Sequence, residues 1–248
     1  MIQVALCGAA GRMGVEITRA LREAPDLRLV LAVEHGEHPV LREPPGAVAW
    51  TDDLARDFGD TEVIVDFSPP RAVMRHLSIA VSRATPFVTG TTGFADEEQA
   101  ALRAAGERIP LVWASNMSRG IAVAGDLLSQ AVSRLSDYDV EIVEMHHRRK
   151  RDAPSGTALR LAEIIQSARG RVGELGIHAL RGGDAVGEHH VILAGPGERL
   201  VVTHIADSRG AFVAGVLAAI RFLEHRSPGC YDMNDVLGIR SSCRSGPA

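Results

Sequence analysis

Apolar and polar positions change rhythm part-way along this chain. Short apolar runs at residues 2–7, 29–33, 63–67, 87–89 and 111–114 predict strands, and segments of helical period at 12–23, 70–83 and 96–107 separate them. Strand and helix in alternation predict an α/β, doubly wound parallel sheet, because a parallel connection needs a crossover and that crossover is usually a helix. After Asn116 the order differs. A helix over 121–135 precedes a strand over 140–145, a cationic loop, and a helix that opens at Pro154-Ser155-Gly156-Thr157 and continues through 158–168. Strands at 177–181, 189–194 and 200–205 then follow one another with polar turns between them, the pattern of an antiparallel or mixed sheet in an α+β domain. The apolar stretch 211–223 predicts a buried helix returning to the first domain, and residues 240–248 read as a frayed tail.

The first turn carries candidate chemistry. Gly8-Ala9-Ala10-Gly11-Arg12-Met13-Gly14 follows the first strand at once and opens the first helix. Gly-x-x-Gly-x-x-Gly in this context is a variant of the Rossmann fingerprint, in which glycine permits the tight turn and lets the backbone approach a pyrophosphate. Glu34 ends the second strand about twenty residues later, where a carboxylate takes ribose hydroxyls. Its charge opposes a 2′-phosphate, and His35 follows it, with Arg42 further on, so NADH is favoured over NADPH. Asp66-Phe67-Ser68-Pro69-Pro70 and Gly90-Thr91-Thr92-Gly93 close later strands at the edge where open α/β sheets bind ligands. There Thr91 and Thr92 come within reach of ribose or nicotinamide, although either segment read alone is a plain turn.

The run from Glu144 to Asp152 sets His146 and His147, then Arg148, Arg149, Lys150 and Arg151, directly before a helix N-terminus. Free N–H groups in a first helical turn, together with the macrodipole, favour a carboxylate or phosphate there. Gly156 lets such a ligand approach the backbone, and the Ser155 and Thr157 hydroxyls add donors. Adjacent histidines on a strand leave on opposite faces, so one acts while the other orients or packs. Histidine titrates near neutrality and suits a general acid, and Lys150 supplies a fixed charge or a second proton. Read alone, the segment is equally a solvated basic loop with an ordinary N-cap.

Composition narrows the classes. A chain of 248 residues suits one large or two small domains, and a net charge of −4 gives no basic field for nucleic acid or a membrane surface. The first residues carry no charged leader, apolar segment and cleavage site, and no apolar run approaches the ~20 residues of a membrane span, so a cytoplasmic location is expected. Cys7, Cys230 and Cys243 are odd in number and far apart, which argues against a disulfide framework.

Taken together, these segments resemble the 4-hydroxy-tetrahydrodipicolinate reductase family, also called dihydrodipicolinate reductases. The resemblance runs nearly end to end, through residues 8–14, 66–69, 90–93, 114–120, 144–158, 204–212 and 231–237. Glu-x-His-His-x-x-Lys-x-Asp-Ala-Pro-Ser-Gly-Thr-Ala is its most specific part. It implies a Rossmann-like dinucleotide domain, 1–117 completed by 212–248, and an inserted α+β domain, 118–211, for substrate binding and tetramer formation. It implies reduction of a small cyclic imine with two carboxylates by NADH or NADPH in lysine and diaminopimelate biosynthesis. His146 would be the general acid/base, Lys150 the second proton donor, and His147, Ser155, Gly156 and Thr157 would bind substrate. Gly8, Ala9, Ala10, Gly11, Arg12, Met13, Glu34, Gly90, Thr91, Thr92, Ala114, Ser115, Asn116 and Met117 would hold the dinucleotide. Arg148, Arg149 and Arg151 would be a solvated surround. Three positions depart from the family pattern: His35 stands where many members have arginine, and Ser115 and Met117 stand where proline or alanine and phenylalanine are frequent.

Two other readings use part of this inventory. A non-catalytic dinucleotide sensor needs Gly8 to Glu34 but not the His-His-Lys loop. A metal hydrolase would draw on His146, His147, His189, His190 and His204, but strand-adjacent histidines ligate awkwardly. No His-x-x-x-His or Cys-x-x-Cys spacing supports it, so no metal is expected.

Overall fold

The computed structural model describes residues 1–170 and 175–239; the expected tail at 240–248, with Cys243, lies outside them. In chain order the elements are β1 (Ile2–Cys7), α1 (Arg12–Glu23), β2 (Leu27–Val33), a 3-10 turn (Pro39–Leu41), β3 (Ala49–Thr51), β4 (Val63–Asp66), α2 (Pro70–Ser82), β5 (Phe87–Thr89), α3 (Asp96–Gly106) and β6 (Pro110–Trp113). There follow α4 (Arg119–Arg134), β7 (Asp139–His146), α5 (Gly156–Arg169), β8 (Gly176–Arg181), β9 (Gly187–Gly195), β10 (Glu198–Ala206), α6 (Gly210–Leu223), β11 (Gly229–Tyr231) and α7 (Met233–Val236). They group into two compact units, Met1–Met117 with Phe212–Leu237, and Ser118–Ala211.

The first unit is built on a seven-stranded sheet of order β11-β6-β5-β4-β1-β2-β3, parallel throughout. β4 and β5 are buried along their whole length, as expected of strands in a sheet covered on both faces, so their sequences read as short apolar runs, each closed by one polar residue, Asp66 and Thr89. Ala5, Cys7, Ile64, Phe87 and Leu111 from the strands pack with Val73 and Leu77 of α2 and Leu102 of α3. The three-residue edge strands β3 and β11 escape the sequence reading because, unlike the equally short but fully buried β5, they lie partly exposed; pairing with β2 and β6 defines them. α7, four residues long, rests on a capping box between Asp232 and Asp235.

The second unit has a mixed four-stranded sheet of order β10-β9-β7-β8, with β7 and β8 parallel and the other pairs antiparallel. α4 and α5 cover one face. Leu128 and Val132 of α4 and Leu161 and Ile165 of α5 meet Val140 and Ile142 of β7 and Val191 and Leu193 of β9. Because strand side chains alternate, the residues of β7 that share this face are 140, 142, 144 and 146, and the first two are apolar while the last two are Glu144 and His146. Among the described residues no helix is long and apolar enough to cross a membrane.

Candidate active site

In the parallel-sheet unit the Gly8 turn is built from main chain. Gly8 has φ +73, and a Cβ there would lie 3.1 Å from the Phe67 carbonyl carbon and the Ser68 nitrogen at the end of β4. A Cβ at Gly14 would lie 2.2 Å from the Gly8 carbonyl oxygen, so only glycine lets α1 start this close to the turn. Gly11 is the N-cap of α1 and offers no side-chain cap, which leaves the first-turn N–H groups of Arg12 and Met13 without a competing side-chain acceptor. Glu34 is oriented by two main-chain donors, Ala10 N–H and His35 N–H, each at 3.1 Å. The His35 ring is exposed and meets His38 edge to face, with centroids 5.2 Å apart. Uncapped N–H groups, glycine cradle and acid together fit a dinucleotide.

The other expected cofactor residues of this unit are tied to one another. Thr89 donates its hydroxyl to Asp66 O at 2.9 Å, Thr91 donates its hydroxyl to Ser68 O at 2.9 Å, and Ala114 N–H reaches Thr89 O at 3.2 Å. The Thr91 hydroxyl thus braces two strand-end loops, whereas Thr92 is exposed. A Cβ at Gly90 would meet the Phe67 ring at 2.5 Å and Met117 Cγ at 3.3 Å, so Met117 is buried behind this loop. Ser115 is exposed and Asn116 half-buried. Asp66 sits under the loops with His76 Nδ1 at 2.7 Å and Ser68 N–H at 2.8 Å. Together with Cys7 this is the single three-ligand grouping among the described residues. Burial pushes the Cys7 thiol up, away from the thiolate a metal binds.

In the mixed-sheet unit, Glu144 and His146 end β7 on its helix-covered face, and the Glu144 carboxylate is fully buried. It takes four donors: His146 Nδ1, Ser155 N–H at 3.1 Å, and both terminal nitrogens of Arg181, at 2.8 and 3.0 Å. Burial pushes the carboxyl up, but Arg181, His146 and the Ser155 N–H outweigh it and hold Glu144 below the usual range, hence ionised. His146 is driven below its ordinary value by burial, with Glu144 acting the other way and Lys150 and Arg181 adding to the depression. Beyond the strand the chain turns, with Lys150 N–H bonded to His147 O at 3.0 Å. Lys150 Nζ pairs with Asp152 at 2.8 Å, and that lysine holds the Asp152 carboxyl low. His147 is half-buried and its Nδ1 has no hydrogen-bond partner. Arg148, Arg149 and Arg151 are exposed, Arg149 reaching only to Asp184 at 3.9 Å.

Ser155 begins the helix that follows. It is the N-cap of α5, its Oγ accepts Ala158 N–H at 3.2 Å and lies 3.4 Å from His189 Nε2, and it is buried. The cap uses a lone pair of that hydroxyl at the helix terminus. Gly156 and Thr157 remain there: a Cβ at Gly156 would meet no atom within 4 Å.

Sequence reasoning also missed partners of His146. His189 of β9 presents its ring edge to face at 5.2 Å, and His204 of β10 follows at 6.3 Å, with Ser118, the N-cap of α4, 3.1 Å from His204 Nε2. Burial lowers both, His189 to about 4, so these two rings are neutral near pH 7. His190 lies on the other face against Thr203, which removes it from any shared ligand set with this row. The Glu144 signal was present in the sequence, since residues two apart on a strand share a face. Arg181 and His189 became visible only through strand register, Arg181 opposite His146 and His189 opposite Glu144.

A glycine-turn dinucleotide fold joined to a unit bearing a carboxylate-bound imidazole beside a helix N-terminus defines an NAD(P)-dependent oxidoreductase. The family description "Dihydrodipicolinate reductase, N-terminus" matches residues 2–117 and "Dihydrodipicolinate reductase, C-terminus" matches 120–237, and the chain belongs to this family. A 4-hydroxy-tetrahydrodipicolinate reductase of Burkholderia thailandensis is 42% identical over 96% of this chain and 99% of its own. One from an Anaeromyxobacter species is 43% identical over 98% and 100%. The dipicolinate-bound dihydrodipicolinate reductase of a Paenisporosarcina species superposes with a TM-score of 0.81 at 26% identity, covering 94% of this chain and 97% of that one.

Proposed function

We propose that this chain reduces 4-hydroxy-tetrahydrodipicolinate to tetrahydrodipicolinate, with loss of water, in lysine and diaminopimelate biosynthesis. The observation that carries the reading is His146, buried, bound through Nδ1 to an ionised carboxylate, and followed four residues later by Lys150 before the α5 terminus. A reduced nicotinamide supplies the hydride, which adds at ring C4 of the conjugated C=C–C=N system. Gly156 and Thr157 bind one substrate carboxylate through helix-terminal N–H groups, and His147 contacts the ring. Lys150 supplies positive charge to the carboxylates and acts as second proton donor. As electrons move toward the ring nitrogen, His146 delivers the proton through Nε2, help of a kind worth ~10²- to 10⁴-fold in rate.

NADH is the preferred cofactor in this reading, because Glu34 is held in place by two N–H groups and opposes a 2′-phosphate that finds His35, not arginine, beside it. The enzyme works in the cytoplasm as a homotetramer. Support for self-association comes from the mixed sheet, whose face away from α4 and α5 leaves Leu180, Val201 and Ile205 51%, 49% and 52% exposed. The deciding assay supplies the condensation product of pyruvate and aspartate semialdehyde and follows reduced-cofactor absorbance with NADH and NADPH in parallel. Substrate-dependent loss, faster with NADH, is expected; no substrate-dependent loss with either cofactor overturns the function, and faster loss with NADPH overturns the preference.

A further inference from the structure

We infer that Glu144, gripped by Arg181, decides which nitrogen of His146 exchanges a proton and how readily, and that Gly187 keeps that nitrogen reachable; these are positioning residues for the reaction. The inference rests on the reading of His146 as proton donor.

The geometry leaves little freedom. A carboxylate only accepts, and all four contacts of Glu144 are donors, so the neutral His146 ring carries its proton on Nδ1 and a lone pair on Nε2. Nε2 is therefore the atom whose protonation changes. It faces the start of β9, where a Cβ at Gly187 would lie 3.0 Å from it and 3.7 Å from the His189 ring. Any side chain there would crowd the reacting nitrogen. Arg181 is fixed in turn, donating also to the carbonyls of Asp152 at 2.6 Å and Leu180 at 2.5 Å, so its fork cannot swing off the carboxylate.

Charge balance gives the arrangement its second role. Glu144 alone would hold His146 as a permanent imidazolium, a poor proton exchanger, and Arg181 alone would repel the protonated ring. The remaining groups around the ring are Lys150, which is paired with Asp152, and neutral His189 of β9 with His204 of β10 behind it. From the N-caps of α5 and α4 come the Ser155 N–H on Glu144, the Ser155 hydroxyl beside His189 and the Ser118 hydroxyl on His204. Removing each charge should then displace the His146 titration in opposite directions.

The experiment is a pH titration of the full-length protein by ¹⁵N-histidine NMR, with His146 assigned by its loss in His146→Gln, alongside kcat against pH at saturating NADH. In the wild type, the neutral ring should be the Nδ1–H tautomer. Glu144→Gln should displace the titration to lower pH by about one pH unit, because the imidazolium loses its counter-charge. It should lower kcat ~10²-fold or more with NADH affinity preserved. Arg181→Met should displace it to higher pH, because the Glu144 charge then acts unopposed. A merely structural loss has no reason to produce opposite signs. An Nε2–H tautomer in the wild type, displacement of both variants in one direction, or no displacement overturns the inference. If Glu144→Gln does not fold, Arg181→Met decides alone: upward displacement supports it, and any other result overturns it. Full turnover by His146→Gln would instead sink the reading of His146 as donor, which the NMR directions do not address.

Discussion

The glycine turn and the histidine row are two solutions to holding a ligand, and they differ in what they are made of. At the Gly8 turn the groups on offer are main-chain N–H groups, so what matters is space: an atom added at Gly14 would lie 2.2 Å from Gly8 O, and one at Gly8 would be crowded at 3.1 Å. At the end of β7 the contacts come from buried ionisable side chains, so what matters is charge: Glu144, His146 and Arg181 are each tolerable only beside the others. A site of the first kind fails by steric displacement at any pH. One of the second kind fails by protonation or by loss of one partner.

The largest test of that contrast is His146→Gln. Turnover should fall ~10²- to 10⁴-fold in stopped-flow or steady-state assays while NADH affinity, read by fluorescence, stays within about twofold. A parallel fall in both would mean that the two regions are not separable. Next comes Gly14→Ala, whose Cβ would lie 2.2 Å from Gly8 O and 2.5 Å from Ala9 O. Overpacking of this kind costs ~1–3 kcal/mol, so a lower melting temperature and weaker NADH binding are expected, with the His146 titration unmoved. A Gly14→Ala protein that binds NADH like the wild type would refute the steric account.

An effect of similar size, but graded with pH, is in the pH dependence of stability. His189 is held at about 4 in the fold against 6.5 in the unfolded chain, so between those values the unfolded state binds more protons. The contribution is complete above pH 6.5 and is lost as pH falls toward 4, on the order of 3 kcal/mol in all, at 1.36 kcal/mol for each full pH unit between the two values. The melting temperature should therefore drop on acidification from pH 7 to 4.5, and His189→Gln should flatten that slope. An unchanged slope would remove His189 from the account.

Legibility in the sequence followed the same division. The β1–turn–α1 segment was readable because its information is local: an apolar run, three glycines and a helical period occur within 22 consecutive residues. β3 and β11 were not, since each is a short, partly exposed edge strand that exists through its neighbour, unlike the equally short but fully buried β5. In the second unit the cationic loop announced an anion site, yet most of its cations are solvent-exposed. The group that binds His146 most closely is the acid two residues upstream, and the cation that completes the set comes from β8. Nothing local to Arg181 marks it, because its partner is 37 residues away and only the parallel register of β7 and β8 brings the two together. The N-cap at Ser155, by contrast, was legible from residue type and position.

The mixed sheet stores two messages in one string of residues. Odd positions of β9 put Gly187, His189, Val191 and Leu193 against the helices, and even positions put Glu188, His190 and Ile192 on the face that carries Val201 and Ile205. A substitution edits one message, whereas a single-residue deletion exchanges them: without Glu188, His190 and Ile192 would take the places of His189 and Val191, and His189 would turn outward. A change of length should therefore be tolerated only in the turns, such as Pro196-Gly197 between β9 and β10, whereas the strands should tolerate a change of residue type but not of frame.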